Sequence, residues 1–262
     1  MTAPDDPAPL TARSVIATTL LGARRPSRLP VGQLVHAGSL FGIMDSAIRT
    51  ALSRMVAAGE LVVDDGTYRL AGRLLEREQR VDESYAAPRR PWDGTWELAI
   101  VRAGERRPPS VRQELRWATS ALRMAEIREG VWGRPDNLDH DRLPKQQATV
   151  EGQCLRFFGA TAPPGLAADC FGLDAWAATA VQLRDTMRGR QAGDGATSDD
   201  LASGFRLSIA VVRHLQADPL LPDELLPHAW PGPALRTDYE SYDTRFKRAL
   251  TRSLRAGLRA GR

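Results

Sequence analysis

Five polar side chains lie at helical spacing in the stretch DSAIRTALSRMVAAGEL, residues 45–61. They are Ser46, Arg49, Thr50, Ser53 and Arg54. Hydroxyl groups and guanidinium forks bind phosphate oxygens and the base edges of a DNA groove. The expected chemistry is therefore recognition of a polyanion. We expect Arg49 and Arg54 to contact bases or phosphates, and the hydroxyl side chains of Thr50 and Ser53 to position the helix.

The apolar residues of the same stretch predict the helix that carries these groups. Their spacing of i, i+3, i+4, i+7 and i+8 is that of one buried helical face: Ile48, Ala51, Leu52, Met55 and Val56. Asp45 or Ser46 is the expected N-cap, because short polar side chains accept hydrogen bonds from the first free amides of a helix. Gly59 is the expected stop.

Two shorter helical patterns precede this helix, at residues 11–21 and 31–40, and the apolar strands of LVVDDGTYRL follow it. Asp65-Gly66 between those strands predicts a tight hairpin. Three helices and a hairpin predict a winged helix, whose third helix enters the major groove while the wing lies on the backbone. Arg69 in the hairpin is the expected phosphate contact. A single exposed arginine is usually only solvated, so the prediction of DNA binding depends on the conjunction of these features.

Composition limits the class of protein. The chain has 262 residues, enough for two or three domains, with 42% hydrophobic and 26% charged residues. No apolar run approaches the roughly 18 residues of a membrane helix, and MTAPDDPAPL is not a secretory signal. We expect a cytoplasmic protein without a membrane partner. The two cysteines, Cys154 and Cys170, have no zinc spacing, and we expect neither a metal nor a cofactor.

The basic residues are almost all arginine. The formal net charge is +4, and of 36 basic residues only Lys145 and Lys247 are lysine. Guanidinium forks suit phosphate and guanine recognition. Coding bias in a chain rich in Ala and Arg explains the same count, so both interpretations stay open.

The middle of the chain predicts a second domain that begins near Trp92, after a helix and a Pro/Arg-rich linker at residues 73–91. A turn and a strand are predicted for WDGTWELAIVRA, and an amphipathic helix is predicted for SVRQELRWATSALRMAEIREG. One strand is predicted for VWGRPDNL and a further strand for ATVEGQCLRFFGA. A β-α-β order with more strand behind it predicts a small ferredoxin-like α+β sandwich.

The last third predicts a helical domain. DCFGLDAWAATAVQLRDTMRGR and LASGFRLSIAVVRHLQAD have helical apolar spacing, and the proline-rich segment DPLLPDELLPHAWPGP indicates extended chain packed on those helices. The basic tail from Lys247 is either an amphipathic helix or a frayed end that helps to hold DNA. The predicted division is a disordered tail 1–10, a winged helix 11–72, a linker 73–91, a ferredoxin-like domain 92–165 and a helical domain 166–262.

Four motifs occur in order between about Thr11 and Tyr239: SAIRTALSRMVAAGEL, WDGTW, EGVWGRPDNL and DPLLPDELLPHAWPG. Together they resemble the PaaX-type transcriptional regulators, named for repressors of phenylacetate catabolism. The resemblance implies an N-terminal winged helix, a Cas2-like ferredoxin-like middle domain and a helical C-terminal domain, an α+β protein overall. It also implies a homodimer that binds double-stranded operator DNA until a small-molecule effector releases it.

The effector is not identified by the sequence. In the namesake regulators it is an aromatic acyl-coenzyme A, but this sequence has no motif onto which the residues that bind that ligand can be mapped. Interdomain clefts favour small-molecule sites, so we expect the pocket between the middle and C-terminal domains. Its candidate aromatic walls are Trp117, Phe157, Phe158 and Trp176. Each of these also fits a core position.

Two other functions stay open. A winged helix also serves as a protein-interaction module, since fold alone does not fix function. A Cas2-like domain raises the alternative of a metal-dependent nuclease. The resemblance implies that such a nuclease has a metal-binding aspartate at the end of the first strand, where this chain has Arg102. The acidic segment DNLDHDR, residues 136–142, fits a polar surface loop better than a metal cage. The sequence therefore predicts a protein that is not an enzyme.

Overall fold

The structure is a computed structural model that describes residues 10–21, 28–86, 89–102, 107–190 and 197–260. The side chains of residues 80, 84, 86, 198 and 253–260 lie outside that description. So does the predicted disordered tail, apart from Leu10. Among the described residues, no helix combines the length and hydropathy needed to span a membrane.

The fold is mixed α+β, with two small sheets and, in the described ranges, ten α-helices. The helices are α1 (Ala12–Leu21), α2 (Val31–Ser39), α3 (Asp45–Ala57), α4 (Gly72–Ala86), α5 (Pro109–Ala121), α6 (Pro144–Gln153), α7 (Leu166–Phe171), α8 (Leu173–Gly189), α9 (Ser198–Gln216) and α10 (Gly232–Ala260). The strands are β1 (Arg28–Pro30), β2 (Leu61–Asp64), β3 (Thr67–Leu70), β4 (Trp96–Val101), β5 (Ala125–Arg128), β6 (Val131–Pro135) and β7 (Cys154–Ala160).

The chain forms two compact units. The first comprises residues 1–81, 182–213 and 234–262, and the second comprises residues 82–181 and 214–233. The domain boundaries expected from the sequence stay a prediction.

Helices α1, α2 and α3 form the start of the first unit. They share a core whose central side chains are at most 1% exposed: Ile16, Leu20, Leu34, Ile48 and Leu52. Gly38 of α2 lies directly against Ile48 of α3, since a Cβ at Gly38 would be 2.5 Å from Ile48 Cγ1. The absence of a side chain at Gly38 is therefore what lets these two helices approach so closely.

The predicted hairpin is confirmed. Strands β2 and β3 are antiparallel, and Asp64 pairs with Thr67 across a two-residue turn. Asp65 and Gly66 in that turn have φ of 46° and 69°, as a type I′ turn requires. The sheet has a further strand that the sequence did not predict, because β1 pairs with β3 to give the order β1-β3-β2.

Most of helices α9 and α10 also belongs to the first unit. The Tyr242 hydroxyl on α10 donates to the Gly204 carbonyl on α9 at 3.2 Å, and the ring of Phe205 lies 4.7 Å from that of Phe41. Helix α10 continues to Ala260, so the backbone of the basic tail is helical, which was one of the two alternatives for this segment. A contact of that tail with DNA stays a prediction.

The second unit contains four antiparallel strands. The chain order is β4-α5-β5-β6-α6-β7, and the sheet order is β5-β6-β4-β7. Helices α5 and α6 cover one side of the sheet, where Ala99, Leu115 and Val150 are buried together. Alternation along the strands places Leu98 and Phe157 on the other side, and there Phe157 is 47% exposed.

Two expectations for this unit were wrong. The segment 110–130 is not one helix, because α5 ends at Ala121 and β5 begins at Ala125. Arg123, with φ of 63°, ends the helix in a left-handed conformation that helical periodicity does not reveal. The segment 148–160 was expected to be strand, but its first half belongs to α6 and only Cys154–Ala160 forms β7.

A fully buried arginine joins the loops of the second unit. Arg134 Nη1 donates to the Leu122 carbonyl at 3.2 Å, and its Nη2 donates to Asn137 Oδ1 at 2.8 Å and to the Leu220 carbonyl at 3.4 Å. Burial, and then the positive charge of Arg142, lower the pKa of Arg134 to about 9. These hydrogen bonds compensate the cost of burying the guanidinium group.

Candidate nucleic-acid interface

Helix α3 presents two distinct faces. Ile48, Leu52 and Met55 are buried, and Gly59, with φ of 68°, follows the last turn. The Glu60 amide then donates to the Met55 carbonyl at 2.9 Å, which closes the helix end as predicted. The predicted N-cap was wrong by one residue, because Met44 occupies that position without a side-chain hydrogen bond and Asp45 already lies inside the helix.

All five predicted polar residues of α3, Ser46, Arg49, Thr50, Ser53 and Arg54, are exposed. The two hydroxyl groups bond locally, since Thr50 Oγ1 donates to the Ser46 carbonyl at 2.8 Å and Ser53 Oγ donates to the Arg49 carbonyl at 3.1 Å. These bonds hold the hydroxyl groups against the helix backbone. The long arginine side chains are therefore the groups that can reach farthest from the helix.

The two arginines of this face differ in their partners. Arg49 Nε donates to Asp45 Oδ1 at 2.6 Å across one helical turn, and both side chains are more than half exposed. Arg54 forms no ion pair with any residue that the structure describes. The face therefore holds one oriented guanidinium group and one that is available to an incoming anion.

The hairpin adds a second pair of arginines. Arg69 on β3 lies directly opposite Arg28 on β1, and both are exposed. Like charges at opposed positions repel, and the nearest carboxylate, Asp64, lies 3.8 Å from Arg28. An anion such as a phosphate group would relieve that repulsion. The sequence predicted Arg69 but not Arg28, because the register of a three-residue strand depends on tertiary pairing.

An ion pair connects α1 to the end of α3. Arg13 Nη2 lies 2.6 Å from Glu60 Oε1, and Arg13 Nε lies 3.0 Å from Glu60 Oε2. The hydrogen bond from Arg13 lowers the pKa of the Glu60 carboxyl. A cleft of about 600 Å³ beside this pair is lined by both α1 and α3, including Thr50 and Arg54. Sequence reasoning missed both members of the pair, which lie 47 positions apart.

The structure does not bring the four predicted aromatic wall residues together. Trp117 lies on α5, while Phe157 lies on the side of the sheet that α5 does not cover. Phe158, the next residue along β7, packs against His140 with the two rings tilted by 49° and their centroids 4.8 Å apart. Trp176 on α8 is 7% exposed and stacks between His214 at 4.4 Å and Trp230 at 4.5 Å. Trp176 is thus part of a packed aromatic stack.

Two carboxylates of the second unit, those of Glu97 and Asp136, are engaged in protein contacts. Glu97 in the first strand accepts a hydrogen bond from Arg156 Nη2 at 2.7 Å, and Asp136 bonds to His140 Nε2 at 2.7 Å. Arg102, beyond the end of that strand, donates to the Glu151 carbonyl at 3.5 Å. Within the described ranges, no three His, Cys, Asp or Glu side chains are grouped so as to hold a metal ion.

Two family models match this chain. The model described as PaaX-like protein matches residues 11–74, and the model described as PaaX-like protein C-terminal domain matches residues 174–256, so the two cover more than half of the chain. The chain is also similar to a solved structure of an uncharacterized protein, Rv0674, from Mycobacterium tuberculosis. Identity is 37%, the TM-score is 0.68, and the match covers 92% of this chain and 97% of the other. Among curated proteins, none matches.

Proposed function

We propose that this chain, which belongs to the PaaX-like family, is a sequence-specific DNA-binding transcriptional regulator that represses until a small-molecule effector releases it. The family is known as one of transcriptional regulators, and membership in it supports this proposal. The observation that carries the proposal is α3, whose five polar side chains are all exposed on a helix anchored by Ile48 and Leu52.

The proposed mode of binding is that of a winged helix-turn-helix domain. Helix α3 would lie in the major groove with Arg49 and Arg54 against base edges or phosphates. The hairpin would lie on the backbone, with Arg28 and Arg69 against phosphate oxygens. Two in-register arginines on the adjacent strands β1 and β3 support this placement, because they offer paired cations where the backbone would pass.

The proposed active form is a homodimer, cytoplasmic, on a pseudopalindromic operator. A two-fold protein reads half-sites separated by about one helical turn or a multiple of it. The strand order β5-β6-β4-β7 with two helices on one side supports a ferredoxin-like, Cas2-like middle domain. On the side of that sheet opposite α5 and α6, Leu155 is 44% and Phe157 47% exposed, and this surface would accept the same surface of a second copy.

Release requires differential binding. An effector, in the namesake regulators an aromatic acyl-coenzyme A, shifts the population only if it binds the DNA-incompetent state more tightly than the competent one. The four aromatic residues do not support a single effector pocket, because Phe157 lies on the side of the sheet that α5 with Trp117 does not cover, and Trp176 is packed. The position of the effector pocket stays a prediction.

The test is a mobility shift of the purified full chain on its own upstream intergenic DNA, at ~50 and ~200 mM salt, with unrelated DNA as competitor. Sedimentation of the same sample gives the oligomeric state. Specific retention that weakens steeply with salt is expected, because several phosphate contacts release counterions. A folded dimer that is not retained at either salt would instead favour the protein-interaction module.

A further inference from the structure

A cleft of about 490 Å³ in the second unit gathers five arginine side chains. They are Arg102, Arg107, Arg112, Arg116 and Arg128. Of the described residues that line the same cleft, two are acidic, Glu126 and Glu129. The arginines come from the end of β4, the approach to α5, α5 itself and the end of β5. Separate elements of the unit therefore contribute positively charged side chains to one cleft.

These guanidinium groups are not neutralised by carboxylates of the described residues. Arg107 Nη1 donates to Gln153 Oε1 at 3.3 Å, and Arg112 Nη1 donates to the Arg107 carbonyl at 2.8 Å. The guanidinium groups of Arg116 and Arg128 form no hydrogen bond or ion pair with any other residue that the structure describes. Elsewhere in the unit the pattern is different, since Arg156 pairs with Glu97.

Converging cations of this kind create a positive potential that favours anions. Four of the five arginines are exposed, so solvent weakens their mutual repulsion, but five like charges around one cleft still make its potential positive. A phosphate anion removes that repulsion, and each guanidinium fork can donate two parallel hydrogen bonds to it. The N-terminus of α5, which begins at Pro109 beside Arg107, adds the partial positive charge of its free amides.

The rest of the lining indicates that the anion has an organic body. Apolar side chains line the same cleft: Ile100, Val101, Leu115, Val131 and Trp132. A site for the exposed phosphate backbone of DNA needs no such surface, whereas small-molecule sites combine apolar walls with a few charged groups. The volume lies within the ~300 to 1,000 Å³ of such sites.

We propose that this cleft binds an organic polyphosphate, a small molecule in which a pyrophosphate group is attached to an organic body. Arg112, Arg116 and Arg128 hold the phosphate oxygens, and the apolar lining contacts the organic body. The cleft shares no residue with the exposed face of α3. Its use as the effector site rests on the proposed function, but the binding itself does not.

The experiment is isothermal titration of the full chain with inorganic phosphate, inorganic pyrophosphate, ATP and coenzyme A, at fixed salt and without divalent cations. We expect pyrophosphate to bind about tenfold or more tightly than phosphate, because it engages more guanidinium groups. Tighter binding of ATP or of coenzyme A then identifies which organic body the cleft prefers.

The variants test the site. Arg116→Gln with Arg128→Gln should weaken binding of the preferred compound by about a hundredfold, roughly tenfold for each guanidinium group. Glu129→Gln should tighten it, because it removes a like charge. Arg206→Gln, an exposed arginine of α9 outside the cleft, is the matched control and should change nothing. Thermal unfolding checks that all three remain folded.

Several results would overturn the inference. Equal affinity for phosphate and pyrophosphate would do so, as would equal affinity of the wild type and the double variant for every compound. Loss of affinity for unrelated DNA in the double variant, with no compound bound by the wild type, would assign the cleft to nucleic acid. The titration contains no DNA, so a failure of the operator assay does not change the measured affinity for the compounds. Likewise, a failure of the compounds to bind does not change the result of the operator assay.

Discussion

Arg49 Nε lies 2.6 Å from Asp45 Oδ1, so the arginine that extends from the exposed face of α3 is held by a carboxylate one turn earlier on the same helix. The pair is solvent-exposed, with 57% and 54% of the two side chains accessible. Such pairs contribute little to stability. The more important consequence is orientation, because the carboxylate restricts a long side chain that would otherwise sample many rotamers.

Replacement of Arg49 tests whether it reads a base. If Arg49 forms a bidentate contact with guanine, Arg49→Ala should cost about 1 to 3 kcal/mol on the operator and relax preference at one base pair. The measurement is binding to a set of operators that differ at single positions. Arg206→Ala, on α9, is the control. A uniform loss across all operators would show that Arg49 contacts a phosphate group instead.

Replacement of Asp45 should act in the opposite direction. Asp45→Asn removes a negative charge from the proposed DNA surface, so affinity for all DNA sequences should rise by roughly threefold to tenfold at low salt. Specificity should fall, because the Arg49 guanidinium loses the partner that orients it. Asp185→Asn, which removes the carboxylate of an exposed i,i+3 pair on α8, is the matched control. Unchanged affinity in Asp45→Asn would place this end of α3 away from DNA.

The hairpin should contribute affinity without specificity. Arg69→Ala should weaken binding to operator and unrelated DNA by the same factor and reduce the slope of log K against log salt by about 1. Arg28→Ala should have the same effect, because the two residues are in register. The test is a salt titration with both DNAs. A change in sequence preference in either variant would show that the hairpin enters a groove.

Gly38 determines how closely α2 approaches α3. A Cβ at this position would be 2.5 Å from Cγ1 and 2.7 Å from Cδ1 of Ile48, whose side chain is fully buried. Gly38→Ala should therefore destabilise the protein by about 1 to 3 kcal/mol and displace α3. Gly32→Ala, in the same helix with nothing within 4 Å of the added Cβ, should leave stability unchanged or raise it by up to about 1 kcal/mol. Chemical denaturation of both variants makes the comparison, and equal stability would contradict the proposed contact.

Local signals explain which parts of the fold followed from the sequence. Helix α3 was predicted because its apolar residues recur at one period over more than two turns, and the hairpin because Asp65 and Gly66 both tolerate positive φ. Strands β1 and β5 have three and four residues, too few for a period to emerge. Each exists because a neighbouring strand pairs with it.

The candidate site also has one part that the sequence predicts and other parts that it does not. The exposed face of α3 follows from helical geometry alone. The opposition of Arg28 and Arg69, the pair of Arg13 with Glu60, and the arginine cleft all depend on tertiary contacts between distant segments. The aromatic residues were grouped by type, and nothing in their spacing distinguished Trp176 in a packed stack from Phe157 on an open side of a sheet.

The ion pair of Arg13 with Glu60 should make stability depend on pH in the acidic range. The hydrogen bond from Arg13 lowers the pKa of Glu60 in the folded state below its ordinary value of 4.5. The stabilising effect is therefore fully present above that value and is lost as the pH falls through the lowered one. Arg13→Ala should reduce the free energy of unfolding near neutral pH, and its difference from the wild type should shrink below 4.5. Urea denaturation between about pH 3 and 7, at low and high salt, provides the measurement. Because Arg13 is 57% exposed, salt should weaken the effect, and a difference that stays constant with pH would show that the pair does not couple α1 to the end of α3.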